Sequence, residues 1–398
     1  MGSPGIPRYP QARQLAQYGG IGIYVDVAND EKPTGIGLHV RYLVHALADL
    51  DRDNEYLLYY QCGLREHRSL FPLQPRQPNF RLRPVRFPTA WKVEHPTVWW
   101  EWYLPWVLRR DRLDIFHGPN HFLPAFDPHK SLVTIHDLAY FSMQVHTFND
   151  VLQAWTRKAL TRAAAVIALS ENTRRDVEAL GVEPERIRVI YGGGNIVPED
   201  QIQYCRISEL KKLLRLPEQY ILFVGTLQPR KNVPFLLRSF ARLKRESNLP
   251  HRLVLAGQRE AAAEEIDRLI SALGISSDVL ITGYVEDWQL PLLYRLADVF
   301  VLPTRYEGFT LVTLEAMAYG TPVIATDTSS IREGVGDAAI LVELDNVEAL
   351  ARAIYTALTD DGLRHRLITQ GKLQARKFTW EQCARDTLAI YHKIYDIS

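Results

Sequence analysis

Two glutamates, Glu307 and Glu315, stand with seven residues between them in the segment EGFTLVTLE. An apolar run, Asp298-Val-Phe-Val-Leu302, precedes the segment. Leu311–Ala318 and the turn Tyr319-Gly-Thr-Pro322 follow it. This spacing sets three chemical devices close together. Glu307 falls on a loop at the C-terminal end of a strand, where a carboxylate can accept sugar hydroxyls. The amides of Phe309 to Val312 open a helix, and unsatisfied N–H groups at a helix start favour phosphate. Glu315 falls about one turn into that helix, placed to accept two hydroxyls of a ribose. Alone, such a pair reads equally well as helix caps and dipole partners, so the rest of the chain must decide.

A cationic pair supplies the next piece. Gly225-Thr-Leu-Gln-Pro-Arg-Lys-Asn232 follows the apolar strand Tyr220–Gly225. Arg230 and Lys231 sit where a helix begins, and the helix dipole disfavours cations there. That disadvantage favours a ligand role, in which fixed cations stabilise a diphosphate as it leaves. Gly35 and Gly37, in Thr34-Gly-Ile-Gly37, follow the first strand and let backbone approach a phosphate closely. A third glycine at position 40 would complete a dinucleotide fingerprint, but Val40 stands there. His136 ends the apolar strand Ser131–His136. Its ring or carbonyl can hold a sugar hydroxyl, with Asp137 orienting the ring or capping the next helix. His117-Gly-Pro-Asn-His121 is a similar strand end. HExxH, GxSxG and GxxxxGK patterns are all absent from the sequence, so no metal site is expected.

Residues 91–106, WKVEHPTVWWEWYLPW, contain five of the eight tryptophans, flanked by Lys92, Arg109, Arg110 and Arg112. Tryptophan concentrates at interfaces and stacks on sugars. The segment reads as an acceptor-binding surface, a membrane-facing surface, or an aromatic core beneath a long loop.

These residues need a scaffold. At 398 residues the chain is too long for one ordinary core. Apolar strands alternate with amphipathic helices, which implies parallel sheets covered on both faces. The rhythm breaks between Gly192 and Leu216, read as a connector, and restarts at Tyr220. The expected division is an N-terminal extension outside the fold (1–18), an acceptor-binding Rossmann-like domain (19–200), a nucleotide-sugar-binding Rossmann-like domain (201–378) and a C-terminal helix (379–398). Ligands of open α/β sheets bind beyond the carboxyl ends of the strands, so the fold expected is α/β, with two doubly wound domains facing across a cleft. A net charge of +1 argues against a nucleic-acid partner. Three scattered cysteines suit a reducing cytosol and speak against a disulfide framework. The sequence shows neither a secretory pattern nor an apolar run of the ~18 residues that span a membrane. A cytoplasmic location is expected, with peripheral contact at the inner face of the cell membrane through residues 91–112.

The order of TGIGLHVRYLVHAL, IHD, VIALSENTRRDVEALGV, FVGTLQPRKN, ITGYVED and ADVFVLPTRYEGFTLVTLEAMAYGTPVIA resembles glycosyltransferase family 4. These are retaining enzymes of the two-Rossmann GT-B fold, and the likeness covers about residues 20–395. FHGPNHFLP and the spacing are similar to the bacterial mannosyltransferases that build lipopolysaccharide and other surface polysaccharides. The resemblance implies that Glu307 contacts the donor sugar and that Gly308, Phe309, Thr310 and Leu311 offer amides to sugar and phosphate. It implies that Glu315 holds the ribose and that Arg230 and Lys231 hold the diphosphate. Gly35 and Gly37 would close over the donor, Val285 would lie near the base and His136 at the reacting centre. It further implies a metal-independent hexosyl transfer, with no cofactor besides the donor GDP-mannose, to a saccharide or lipid-linked saccharide acceptor. The C-terminal helix would return to the N-terminal domain. Where the family often has EGFGLP, Thr310 and Val312 depart from it, and Thr226 stands where many members have arginine. The nearest alternative is a hexosyltransferase that uses a UDP-sugar. More remote are a nucleotide-sugar epimerase and a non-enzymatic saccharide-binding protein.

Overall fold

The computed structural model describes residues 20–397 apart from 31–34, 65–72, 74, 76, 127–129, 144–148 and 260–262. The expectations for residues 1–18 and for the loop residues 32–34 lie outside the described residues.

The strands are β1 (Gly20–Tyr24), β2 (Glu55–Cys62), β3 (Phe80–Arg86), β4 (Ile115–Gly118), β5 (Ser131–Ile135), β6 (Ala165–Ala168) and β7 (Ile187–Val189), then β8 (Tyr220–Val224), β9 (Arg252–Ala256), β10 (Val279–Gly283), β11 (Val299–Leu302), β12 (Val323–Thr326) and β13 (Ile340–Val342). They form two sheets, ordered β3-β2-β1-β4-β5-β6-β7 and β10-β9-β8-β11-β12-β13. The registered pairs are parallel, as short apolar runs such as the fully buried VFVL of β11 require. In each sheet the strand order reverses once, between β1 and β4 and between β8 and β11. β3 is not among the strands expected from apolar runs. FRLRPVR alternates arginine with apolar residues and contains Pro84. An edge strand tolerates both, and β3 pairs only with β2 at one margin of its sheet. A second difference lies in the connector read at 192–216, which contains the helix Ile207–Leu214, ended by left-handed Arg215 (φ 54°). Its charged residues hid a short amphipathic turn around buried Leu210.

The chain divides into two compact units. The first comprises Met1–Thr134, Lys158–Ala165 and Ala384–Ser398; the second comprises Ile135–Arg157 and Val166–Cys383.

In the first unit the helix Gly35–Leu50 buries Val40, Leu43, Val44 and Leu47. Gly35 and Gly37 lie in its first turn. The last part of the helix Trp380–Ile397 belongs to this unit, as expected of a returning C-terminus. His117 is fully buried, with Nδ1 2.7 Å from the Tyr391 hydroxyl and Nε2 2.8 Å from the Thr134 hydroxyl. Both ring nitrogens are thus spent on holding β4 to its neighbours.

The tryptophan-rich segment is both core and surface. A six-residue π-helical stretch, Val98–Tyr103, with the Leu104 amide bonded to the Trp99 carbonyl, turns adjacent Trp99 and Trp100 inward together. Val98, Trp102 and Trp106, four residues apart, stay exposed, Trp102 to 72%. Trp91 and Val93 are exposed as well. Lys92 does not join this surface as the sequence suggested. Its ammonium pairs with Asp26 and lies 3.0 Å from the Tyr24 hydroxyl. Exposed Arg109, Arg110 and Arg112 remain on it, Arg110 over the Trp106 ring at 5.7 Å.

In the second unit one apolar core gathers the faces of β8–β13 and of helices such as Val233–Glu246 and Val347–Thr359. β8 and β11 are neighbours at the reversal point, so the loops leaving their carboxyl ends, 225–232 and 303–310, emerge side by side. A reversal of strand order is where open α/β sheets bind ligands.

Candidate active site

Arg230 and Lys231 occupy a single 3₁₀ turn, Pro229–Lys231, closed by Asn232 at φ 53°. The Asn232 side-chain nitrogen donates to Asp345 at 3.0 Å, and Arg305 binds both Asp345 (2.8 Å) and the Asn232 side-chain oxygen (3.2 Å). The Arg230 carbonyl accepts from the Arg305 amide (2.9 Å) and the Thr304 hydroxyl (3.1 Å). Backbone contacts therefore stitch the loop after β8 to the loop after β11, and the side chains of both are aimed at one point.

That point is Glu307. Arg230 Nη1 lies 2.8 Å from its Oε2, and Lys231 Nζ lies 2.8 Å from its Oε1. All three side chains are largely buried. Ser329 accepts from the Glu307 amide and Ser330 donates to its carbonyl, each at 2.8 Å, so the backbone is pinned as well. Burial alone would raise the Glu307 pKa, but Arg230 and Lys231 outweigh it and hold the carboxyl at about 2. Burial, helped by the like charge of Arg230, pulls Lys231 below its ordinary value, and Glu307 only partly restores it. Two cations thus share one carboxylate, with Asp137 in electrostatic range of both. In the sequence these three residues are assigned to different parts of a ligand. Nothing in their spacing signals the mutual pairing, since 76 and 77 positions separate the partners.

Glu315 is separate. It is buried in the helix Leu311–Ala318 and accepts from the Tyr294 hydroxyl at 3.0 Å and from the Asn195 amide. Burial pushes its pKa up to about 7, with Tyr294 and Asn195 offsetting only part. The consequence for stability has a definite sign. Below its ordinary value of 4.5 the group is protonated whether folded or unfolded. Between there and about 7 the unfolded chain releases a proton that the folded chain keeps, so stability falls as pH rises. Glu315→Gln should remove this slope. Melting temperatures from pH 4.5 to 8 should show the wild type losing stability relative to the variant up to about pH 7, and not beyond. Parallel curves would refute the assignment.

His136 directly follows β5 and is buried. Its carbonyl faces Gly308: a Cβ on Gly308 would lie 1.8 Å from the His136 oxygen and 2.7 Å from the Asp137 Cβ. No side chain fits between the β5 end and the Glu307 loop. Asp137 Oδ1 accepts from the Ala139 amide at 3.1 Å, in the turn that leads into the short helix Ala139–Ser142. Phe309 is half-buried between the rings of Tyr191 (5.1 Å) and Phe378 (5.3 Å). Thr310 is buried, its hydroxyl 3.0 Å from that of Thr313, so its side chain is occupied within the loop. Leu311 opens the helix that carries Glu315. Val285 follows β10 and packs in the core of the second unit. A Cβ at Gly35 would meet nothing within 4 Å. Arg230, Lys231, Glu307, Gly308 and His136 come together within the second unit; Gly35 and Gly37 belong to the first. Among the described residues, no group of three or more His, Cys, Asp or Glu side chains is placed to hold a metal ion.

Two Rossmann-like parallel sheets, with a carboxylate and two cations on adjacent loops at a strand-order reversal, define a GT-B protein. The backbone matches sucrose-phosphate synthase from Thermosynechococcus elongatus with a TM-score of 0.74 at 21% identity, over 96% of this chain and 100% of that one. Residues 33–196 match the family described as Glycosyltransferase Family 4, and residues 207–374 match Glycosyl transferases group 1. The chain is 30% identical over 292 residues to the O-antigen chain mannosyltransferase B of Escherichia coli, covering 72% of this chain and 76% of that protein. It is 30% identical over 282 residues to the serotype-specific mannosyltransferase WbdA of Escherichia coli, covering 67% of this chain but only 34% of WbdA. The chain belongs to glycosyltransferase family 4 and is a glycosyltransferase.

Proposed function

We propose that the protein transfers mannose from GDP-mannose to a hydroxyl of a glycan or lipid-linked saccharide in surface polysaccharide biosynthesis, with retention and without a metal. In this reading residues 19–200 bind the acceptor and residues 201–378 the donor. The observation that carries it is the pairing of Glu307 with Arg230 and Lys231 on the loops at the β8/β11 reversal. The Escherichia coli mannosyltransferases named above support the choice of sugar.

Arg230 and Lys231 would bind the diphosphate and stabilise its charge as the glycosidic bond breaks. Glu307 would then take sugar hydroxyls in place of the cations, and Glu315 would hold the ribose. Gly308, Phe309, Thr310 and Leu311 would supply amides, with Gly35, Gly37 and Val285 at the edges of the donor and His136 at the reacting centre. Retention by double displacement requires a carboxylate nucleophile beneath the anomeric carbon. Glu307 is engaged with two cations and held at about pKa 2. Front-face departure and collapse, with the leaving phosphate oxygen taking the acceptor proton, needs only charge stabilisation and positioning.

The deciding experiment is a thermal-shift screen of GDP, UDP, ADP and their sugars, followed by NMR of the product anomeric centre. Stabilisation follows RT ln(1 + [L]/Kd), so the true nucleotide stands out. A larger shift with UDP than with GDP would overturn the donor, and an inverted anomer would overturn the mechanism. A changed sugar in the absence of acceptor would reveal an epimerase.

The acceptor side of the proposal includes peripheral contact with an anionic membrane. Exposed Trp91, Trp102 and Trp106 beside Arg109, Arg110 and Arg112 suit the interfacial zone of a bilayer. Among the described residues no helix is long and apolar enough to cross a membrane. The protein is expected to sediment with phosphatidylglycerol vesicles and not with phosphatidylcholine ones. Trp102→Ala/Trp106→Ala should weaken that partition at least ~10-fold. Equal partition into both lipids, or none, would remove the membrane from the proposal.

A further inference from the structure

We infer that Tyr306 is a positioning residue: its hydroxyl sets the spacing between the Glu307 loop and the strand end that carries His136. Tyr306 precedes Glu307, and its hydroxyl donates to the Asp176 carboxylate. It accepts from the Asn172 side-chain nitrogen at 3.2 Å and from the backbone N–H of Leu138, two residues beyond His136. One phenol thus touches both segments that meet at the Gly308–His136 contact. The same contact forbids any side chain at 308, so the gap is closed from one side by backbone packing and from the other by Tyr306.

The anchor for Tyr306 is itself held. Asp176 and Asn172 lie on the helix Glu171–Ala179, joined to each other at 3.1 Å. Ser170 caps that helix by accepting from the Thr173 amide at 3.0 Å. The Glu333 carboxylate takes its next two free amides, Glu171 at 2.7 Å and Asn172 at 2.9 Å, and the Tyr191 hydroxyl at 3.2 Å. A carboxylate is the favoured partner for those donors. Glu333 lies on the helix Ile331–Val335, directly after Ser329 and Ser330, which grip the Glu307 backbone. The chain of contacts therefore closes on itself: Glu307 loop, Tyr306, helix Glu171–Ala179, Glu333, Ser330, Glu307 loop. None of these partners reaches the Glu307 carboxylate, so the ring fixes where it stands without altering what it binds.

This inference rests on the proposed transfer reaction, in which both segments face the reacting sugar. Tyr306→Phe is expected to lower kcat ~10- to 100-fold, the scale on which sub-ångström misplacement acts. Affinity for the nucleoside diphosphate should stay within about twofold, because the substitution keeps the Tyr306 carbonyl that accepts from Arg230 Nη1 at 2.8 Å, and the hydrogen bonds given for the phenol involve neither Lys231 nor Glu315. Asp176→Asn keeps an acceptor oxygen and should retain most of the turnover, whereas Asp176→Leu should reproduce Tyr306→Phe. A purely structural role would lower the melting temperature with kcat unchanged, or reduce kcat and nucleotide affinity together. Either result overturns the inference.

Amide hydrogen exchange on the protein without substrate separates this failure from failure of the function itself. Tyr306→Phe should speed exchange at Leu138 and Glu307 by about tenfold while leaving β8–β13 unchanged. Unchanged exchange at both amides would overturn the inference even if mannosyl transfer is confirmed. Faster exchange in a protein that transfers no hexose would leave the clasp standing and the proposed function refuted.

Discussion

Replacing Glu307 by glutamine is expected to lower turnover at least ~100-fold, the scale seen when one preorganised charge-stabilising group is lost. The variant should also be less stable, and the reason is specific. Arg230 and Lys231 each lie 2.8 Å from the carboxylate with side chains only 15% and 12% exposed. Glutamine leaves both cations facing a neutral amide, and stranding a buried charge costs about 3–5 kcal/mol. Lys231 is already held below its ordinary pKa by burial, so it is the one to shed its proton. Adding Lys231→Met to Glu307→Gln should therefore recover part of the lost stability while turnover stays at its floor. Urea unfolding midpoints and turnover for the two single variants and the double variant form the test. Strictly additive midpoints would mean that the two residues do not interact. Turnover within tenfold of wild type in Glu307→Gln would remove Glu307 from the reaction.

Gly308→Ala is the second change expected to be severe. Its Cβ would lie 1.8 Å from the His136 carbonyl oxygen, 2.7 Å from the Asp137 Cβ and 2.7 Å from the His136 carbonyl carbon. Two of these three neighbours are backbone, so relief requires the β5 end or the Glu307 loop to move by more than an ångström. Overpacking of this kind costs about 1–3 kcal/mol, occasionally more. A displacement of that size at a reacting centre costs about 10²-fold in rate. Both losses should appear, in thermal unfolding and in turnover. Gly35→Ala provides the contrast, since its Cβ meets nothing within 4 Å and its melting temperature should hardly change. A Gly308→Ala protein with wild-type stability and rate would show that the spacing between His136 and Glu307 is not fixed.

The scaffold was largely legible before the structure. Parallel strands buried on both faces leave continuous apolar runs, and these located the strands apart from β3, whose arginines and proline belong to a sheet margin. Arg230, Lys231, Glu307 and Glu315 were legible because each sits where a strand end or helix start gives its side chain a local meaning. What the sequence could not supply was pairing at a distance. Tyr306 and Asp176 are 130 residues apart, Lys231 and Glu307 76 apart, and neither side chain of either pair signals its partner. The tryptophan segment was ambiguous for a related reason. Which of its tryptophans face inward depends on the local winding, and the sequence does not signal the π-helical stretch that carries buried Trp99 and Trp100 beside exposed Trp102.

The shared carboxylate bears on what the site refuses. Cells hold abundant free phosphate, and two bare buried cations would be a trap for it. Here those cations already have a resident anion, tethered by its own backbone. An arriving phosphate can only compete with that tether, because its few P–OH donors sit on an anion that the Glu307 carboxylate repels. In the proposed reaction a sugar diphosphate brings neutral hydroxyl donors along with its charge, so it would satisfy the displaced carboxylate and the released cations together. Discrimination against inorganic phosphate would then be a property of the polypeptide's own charge pairing rather than of the pocket's shape.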